Sequence, residues 1–209
     1  MSSDTDGMDP AAALELIEAE GRRIRKALDP RLPWQLLSWG LAWLIGAGAL
    51  WLDVRDQRPY VGPGGLSAGV FVALLAVAGL VTGVTVAKGT AGVGGRAART
   101  GHRIGLVWGL GWLSFMACGA AVVHEGAAPA VAGVLYAAGA HLVTGLIYAM
   151  SGAVWDDPVQ AWLGCWLTIL AGIAGFFGPV GVLLVEALGG GGGFLVAAWW
   201  ARRRSVRNG

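Results

Sequence analysis

Two residues in this sequence could do acid–base chemistry in an apolar setting, Glu186 and His141. A carboxyl group and an imidazole can hold, give and take a proton. Both lie inside long apolar runs, where ionisable side chains are costly and by default mark ion pathways or proton relays. Glu186 lies seven residues past Pro179 in the last such run, and His141 near the middle of the fourth. A carboxylate facing lipid alone is disfavoured: burial favours the protonated form of Glu186, and a cationic or hydrogen-bond-donating partner would oppose that. The depths of the two residues allow direct pairing without dictating it. The structural alternative is a protonated or hydrogen-bonded Glu186 within a bundle and a His141 that satisfies a backbone carbonyl.

Glu186 is followed closely by Gly189-Gly-Gly-Gly-Gly193. Each helical glycine costs roughly 1 kcal/mol relative to alanine, so five in succession predict a weak or interrupted helix. Interrupted membrane helices line cavities and binding sites. Gly189, Gly191 and Gly193 are therefore expected to form a hinge or cavity wall. The competing explanation is close helix contact, which suffices for Gly79-x-x-x-Gly83 and Gly105-x-x-x-Gly109. With Glu186, His141, Thr82 and Thr144, these glycines make up the candidate transport path.

A third group is aromatic. Trp39-Gly-Leu-Ala-Trp43-Leu44, Trp108-Gly-Leu-Gly-Trp112-Leu113 and Trp162-Leu-Gly-Cys-Trp166-Leu167 share the pattern Trp-x-x-x-Trp-Leu. Tryptophans four apart share one helix face. Trp43, Trp112 and Trp166 lie a turn deeper than an interfacial aromatic belt requires. A buried indole N–H seeks an acceptor, and Thr82 and Thr144 lie at matching depth. One expectation is a tryptophan–threonine layer closing one end of the bundle; plain helix packing is the other.

Other chemistries find little support. Gly89-Thr-Ala-Gly-Val-Gly-Gly-Arg96 lacks the Gly-Lys-Ser/Thr ending of a phosphate loop and follows an apolar helix rather than a strand. Cys118 and Cys165 lie on separate segments without a Cys-x-x-Cys spacing, so neither a zinc site nor a redox pair is indicated. Ser38, Ser67 and Ser114 have no histidine nearby in sequence to activate them. His102 beside Arg103 reads as a solvated loop residue. No catalytic residue, cofactor or metal is expected, and an intramembrane enzyme is a distant third reading.

The elements that must position these residues follow from composition. The chain has 209 residues, of which 56% are hydrophobic and 13% charged. A soluble domain is nearer a quarter charged, and so much apolar surface is incompatible with disorder. The apolar residues fall in blocks of roughly 20, the length that crosses a bilayer as a helix. Six blocks qualify: 34–52, 66–87, 104–123, 127–150, 158–176 and 179–200. Continuous blocks argue against a membrane β-barrel, whose strands alternate. The sequence thus predicts an all-α membrane protein with six transmembrane helices, residues 34–200, followed by a basic tail, 201–209. The acidic start, Met1-Ser-Ser-Asp-Thr-Asp-Gly, is unlike the basic region of a cleaved signal peptide.

Thirteen of the fifteen basic residues precede the first span, lie between spans two and three, or follow span six. The positive-inside rule then places both termini in the cytoplasm and the chain in the plasma membrane. Arg96, Arg99, Arg103, Arg202, Arg203 and Arg204 form a collar suited to anionic lipid headgroups, at about 1 kcal/mol each, or to a cytoplasmic partner. Nucleic acid is not an expected ligand, because no aromatic residues interleave with the basic loop to stack on bases.

The three tryptophan motifs fall on alternate spans. Leu80-Val-Thr-Gly83 in span two recurs as Leu142-Val-Thr-Gly145 in span four. The expectation is three tandem helical hairpins in a pseudo-threefold arrangement, a parallel-repeat design known in transporters. Residues 1–33 are read as a cytoplasmic amphipathic helix and linker. Asp9-Pro10 starts the helix, Leu14, Ile17, Ile24 and Leu28 form its apolar face, and Asp29-Pro30 stops it. Its acidic-to-basic order suits the helix dipole.

The segment Leu16-Ile-Glu-Ala-Glu-Gly-Arg-Arg23 followed by Trp39-Gly-Leu-Ala-Trp43-Leu44 resembles small six-span actinobacterial membrane proteins loosely labelled transporter- or permease-like. The resemblance covers the arrangement of most of the chain and implies neither a substrate nor a functional residue. The leading expectation is a small transporter, or the membrane subunit of a transport complex that could include an ATPase. The alternative is a non-transporting scaffold or sensor that binds a cytoplasmic protein through its N-terminal helix and basic loop. The bilayer is the partner common to both.

Overall fold

A computed structural model describes residues 31–90 and 94–207 together with Glu15. The predicted N-terminal amphipathic helix lies outside the described residues. Among those residues all regular structure is helical: α1 (Leu32–Val54), α2 (Gly65–Thr90), α3 (Gly95–His124), α4 (Pro129–Trp155) and α5 (Pro158–Ala174) come first. A 3₁₀ turn (Gly175–Phe177), α6 (Gly178–Val185), a π-helical turn (Glu186–Gly191) and α7 (Gly192–Arg207) complete the chain.

Prolines in the first turns of α1, α4, α5 and α6 explain where these helices start, since proline lacks the N–H that would be unsatisfied there. Asp157 adds a side-chain cap, accepting from the Val159 N–H. α4 ends where Asp156 enters the left-handed region at φ 51°. Most of these helices overrun the blocks predicted from hydropathy, because their terminal turns recruit polar residues the apolar count omits.

Five stretches are long and apolar enough to cross a bilayer: Leu32–Val54, Gly65–Thr90, Ala98–His124, Pro129–Trp155 and Pro158–Val206. The last runs to 49 residues and is not straight. Gly178 takes φ +71° just after the 3₁₀ turn, a conformation open to glycine at little cost. Beyond it the chain runs back along α5. Leu170 lies against Gly189, Trp166 against Gly193, and Asp157 faces Arg204 across 3.7 Å. The architecture fits an integral membrane protein, and its outer surface agrees: Val72, Val77 and Leu80 on α2 and Leu106, Leu110 and Leu113 on α3 are all exposed. Apolar exposure on that scale is foreign to a soluble monomer.

The bundle is built around two close pairings. α4 packs along α5, and α1 packs along the chain from α6 through the π turn to α7. Lipid is as apolar as leucine, so hydrophobicity does not drive such pairs; small residues that let backbones approach do. A Cβ at Gly164 would overlap the Ala149 amide nitrogen and stand 2.6 Å from the Gly145 carbonyl oxygen. Gly191 likewise lies against the backbone of Leu44, and Gly40 against Leu195. α2 leans on α1 and α3 on α4. Among the described residues, α2 and α3 do not pack on each other as α4 does on α5.

Candidate functional site

The apolar core between α1, α4 and the π turn contains a buried acid–imidazole pair. His141 Nδ1 lies 3.2 Å from Glu186 Oε1, with both side chains 2% exposed or less. His141 is delivered by the middle of α4 and Glu186 by the first residue of the π turn. Trp43 of α1 closes the site: its ring stands edge-on to the imidazole with centroids 4.2 Å apart, and Phe71 of α2 backs it at 5.2 Å.

The polar atoms here are close but under-bonded. Nδ1 and Oε1 are within ion-pair distance yet off the line of a good N–H···O hydrogen bond. Nδ1, Nε2 and Oε1 therefore remain unsatisfied, as does the buried Trp43 Nε1. Buried polar groups are normally bonded, and the exceptions call for an explanation. Their grouping around a single imidazole makes this the candidate functional site.

The predicted path residues divide. Glu186 and His141 are brought together, and Thr144 lies buried one turn beyond His141 on α4. Thr82 is elsewhere: it accepts the indole N–H of Trp39 at 2.9 Å and passes its own hydroxyl to the Ala78 carbonyl. The glycine run is tightly packed as well as irregular. A side chain would strike Leu170 at Gly189, His141 at Gly190, Leu44 at Gly191 and Trp166 at Gly193. Gly189 also supplies the carbonyl that accepts the Trp166 indole N–H at 2.9 Å. The expected interruption is thus a π turn, a feature often found at functional sites, and the glycines are there because four neighbours press on it.

The three deeper tryptophans do not share one environment. Trp43 is 3% exposed and lies on His141, Trp112 is half-buried against Phe115, and Trp166 is 47% exposed. The tryptophan–threonine contact that does form uses the first tryptophan of the first pair, Trp39. Replacing Thr82 with valine removes that interhelical hydrogen bond at nearly constant shape. A loss of about 0.6 kcal/mol is expected, typical of such bonds in membranes, read as a small drop in thermal midpoint.

Of the basic candidates, Arg99, Arg103 and Arg202 are exposed, Arg203 stacks on Trp199 at 3.9 Å, and Arg204 faces Asp157. The side chain of Arg96 lies outside the described residues. Sequence reasoning missed Gly190, which touches His141, and gave Trp43 to a layer rather than to the imidazole. The signal was present for Gly190: it lies four residues after Glu186, on the same helical face. Comparison with known protein families, curated proteins and solved structures finds no significant match.

Proposed function

We propose that this chain is a small membrane transporter, or the membrane subunit of one, with the His141–Glu186 pair as its working site. It crosses the bilayer six times, the reversal at Gly175–Gly178 dividing the last apolar stretch into two spans. The basic ends of α2, α3 and α7 then lie together on the cytoplasmic side. The three hairpins, α1–α2, α3–α4 and α5 with the returning chain, are tandem repeats in this reading. The observation that carries the proposal is the buried acid–imidazole pair itself. Ionisable residues are kept inside apolar bundles, against their cost, where they serve a path or a relay. The π turn that delivers Glu186 gives the path a movable wall. So few polar groups line this region that a hydrophobic or weakly polar cargo suits it better than a highly charged one.

The test is flux. Everted vesicles carrying the wild-type chain, Glu186→Gln or His141→Gln are loaded with a panel of hydrophobic and weakly polar dyes. Wild type should move at least one dye, and each variant should lower that rate at least tenfold while inserting and purifying normally. Wild-type flux that survives both substitutions removes the pair from the path.

A further inference from the structure

The surroundings of His141 Nε2 define a site that only one ligand fits. An ideal Cβ on Gly190 would overlap Nε2 and stand 2.9 Å from both Cδ2 and Cε1. Equal distances to the two flanking carbons place that Cβ near the bisector of the ring at Nε2, the direction of its lone pair. Glycine has a hydrogen there, so Nε2 receives a weak C–H···N contact from the π turn. A neutral imidazole carries one proton, and which nitrogen holds it is set by its neighbours. The Gly190 hydrogen leaves no room for a proton on Nε2, so the neutral imidazole carries its proton on Nδ1, 3.2 Å from Glu186 Oε1, and Nε2 keeps the lone pair that faces Gly190.

A second proton must then go to Nε2, where the new N–H bond points at the Gly190 hydrogen. We propose that His141 is a proton-binding site mechanically coupled to the π turn, so that protonation at Nε2 displaces Gly190 and with it Glu186–Gly191. The N–H bond forms with a proton given up by hydronium, which leaves as water, while the Nδ1–H stays in place. A metal ion is a poor rival occupant: among the described residues no group of three His, Cys, Asp or Glu side chains converges anywhere. Its approach to Nε2 is also closed by backbone.

Glu186 is the ionisable side chain in contact with His141. On α4, Tyr148 turns instead to Trp108 and Phe194. On α1, Asp53 accepts from Ser67 and Gly64 at the far end of the helix, while α5 contributes only the exposed Cys165 and its cap Asp157. Arg202, Arg203 and Arg204 on α7 and Lys88 on α2 lie at the other end of the bundle. The π turn is closely packed, with Ala187 in the core, Gly191 against the Leu44 backbone and Gly189 bonded to Trp166, so a displacement of Gly190 is passed on to its neighbours in the turn.

The inference deepens the reading of the pair as the working site, but its test needs no transported solute. The full chain, with the exposed His102 and His124 changed to Gln, is labelled with ¹⁵N-histidine in lipid nanodiscs and titrated from pH 9 to pH 4. The ¹⁵N shifts should show the Nδ1–H tautomer at high pH and doubly protonated imidazole at low pH. Amide exchange across residues 186–191, corrected for the pH dependence of intrinsic exchange, should rise at least tenfold in the same step. His141→Gln should abolish the step. Gly190→Ala, whose methyl group presses on Nε2 permanently, should show the raised exchange at every pH.

An Nε2–H neutral tautomer overturns the proposal, as does a titration that leaves exchange unchanged. So does an imidazole that never titrates, or a step that survives in His141→Gln. If Gly190→Ala does not fold, wild type against His141→Gln still decides. Adding zinc at high pH should leave the spectrum unaltered, and a zinc-induced shift of His141 would assign the site to a metal instead. A coupled titration without dye flux would retain the proton site and refute transport; flux without the titration would do the reverse.

Discussion

Gly164→Leu is expected to destabilise the folded bundle severely. Even a β-carbon at this position overlaps the Ala149 amide nitrogen and comes within 2.6 Å of the Ala149 Cα and the Gly145 carbonyl oxygen. These are backbone atoms of α4, so no rotamer change relieves the clash and the helices must separate. Gly152 meets the Ala161 backbone in the same way, one contact along the pair. Overpacking a core costs about 1–3 kcal/mol when side chains can adjust, and this site should exceed that range. The readout is loss of the monodisperse peak in detergent together with a thermal midpoint more than 10 °C lower, the shift expected for a few kcal/mol in a domain of this size. Gly172→Leu on the same helix is the control. Nothing lies within 4 Å of a Cβ there, and the variant should behave as wild type.

The second large effect separates the pair from its members. His141→Leu alone leaves the Glu186 carboxyl group in the core without its imidazole, and Glu186→Met alone leaves the imidazole without its acid. Removing one partner of a buried ion pair typically costs about 3–5 kcal/mol, whereas replacing both with apolar groups is often neutral or stabilising. Each single variant should therefore unfold earlier in a denaturant titration, and His141→Leu/Glu186→Met should recover most of the loss. The coupling follows from the double-mutant cycle. A double variant as unstable as the sum of the singles would mean the two side chains act separately. A stable double variant without activity would show that the pair is kept for work rather than for strength.

Sequence alone carried the helical, membrane-type architecture because that follows from block length, which hydropathy reads directly. It also carried Glu186 and His141, since an ionisable residue in an apolar run is conspicuous whatever surrounds it. It did not carry their contact. Residues 141 and 186 lie on different elements, and the packing of α4 against α6 and the π turn brings them within reach. The glycine run was legible as a weak helix, but the reason for it was not. Gly189, Gly190, Gly191 and Gly193 each face a different neighbour, and one-dimensional spacing holds no record of which. The aromatic repeat misled in detail for the same cause: Trp43, Trp112 and Trp166 share a motif position, yet only Trp43 has an imidazole beside it.

The seating of Gly191 on Leu44 has a bearing on how the molecule is made. Those positions lie far apart in the sequence, so α1 leaves the ribosome long before the segment that fits it. At roughly 5–20 residues per second, the wait is on the order of ten seconds. Throughout it Gly40 and Leu44 face lipid, or whatever insertion machinery shields them. A nonsense codon anywhere before α7 would strand that half-finished groove in the membrane, giving quality-control proteases a clear mark of an incomplete chain.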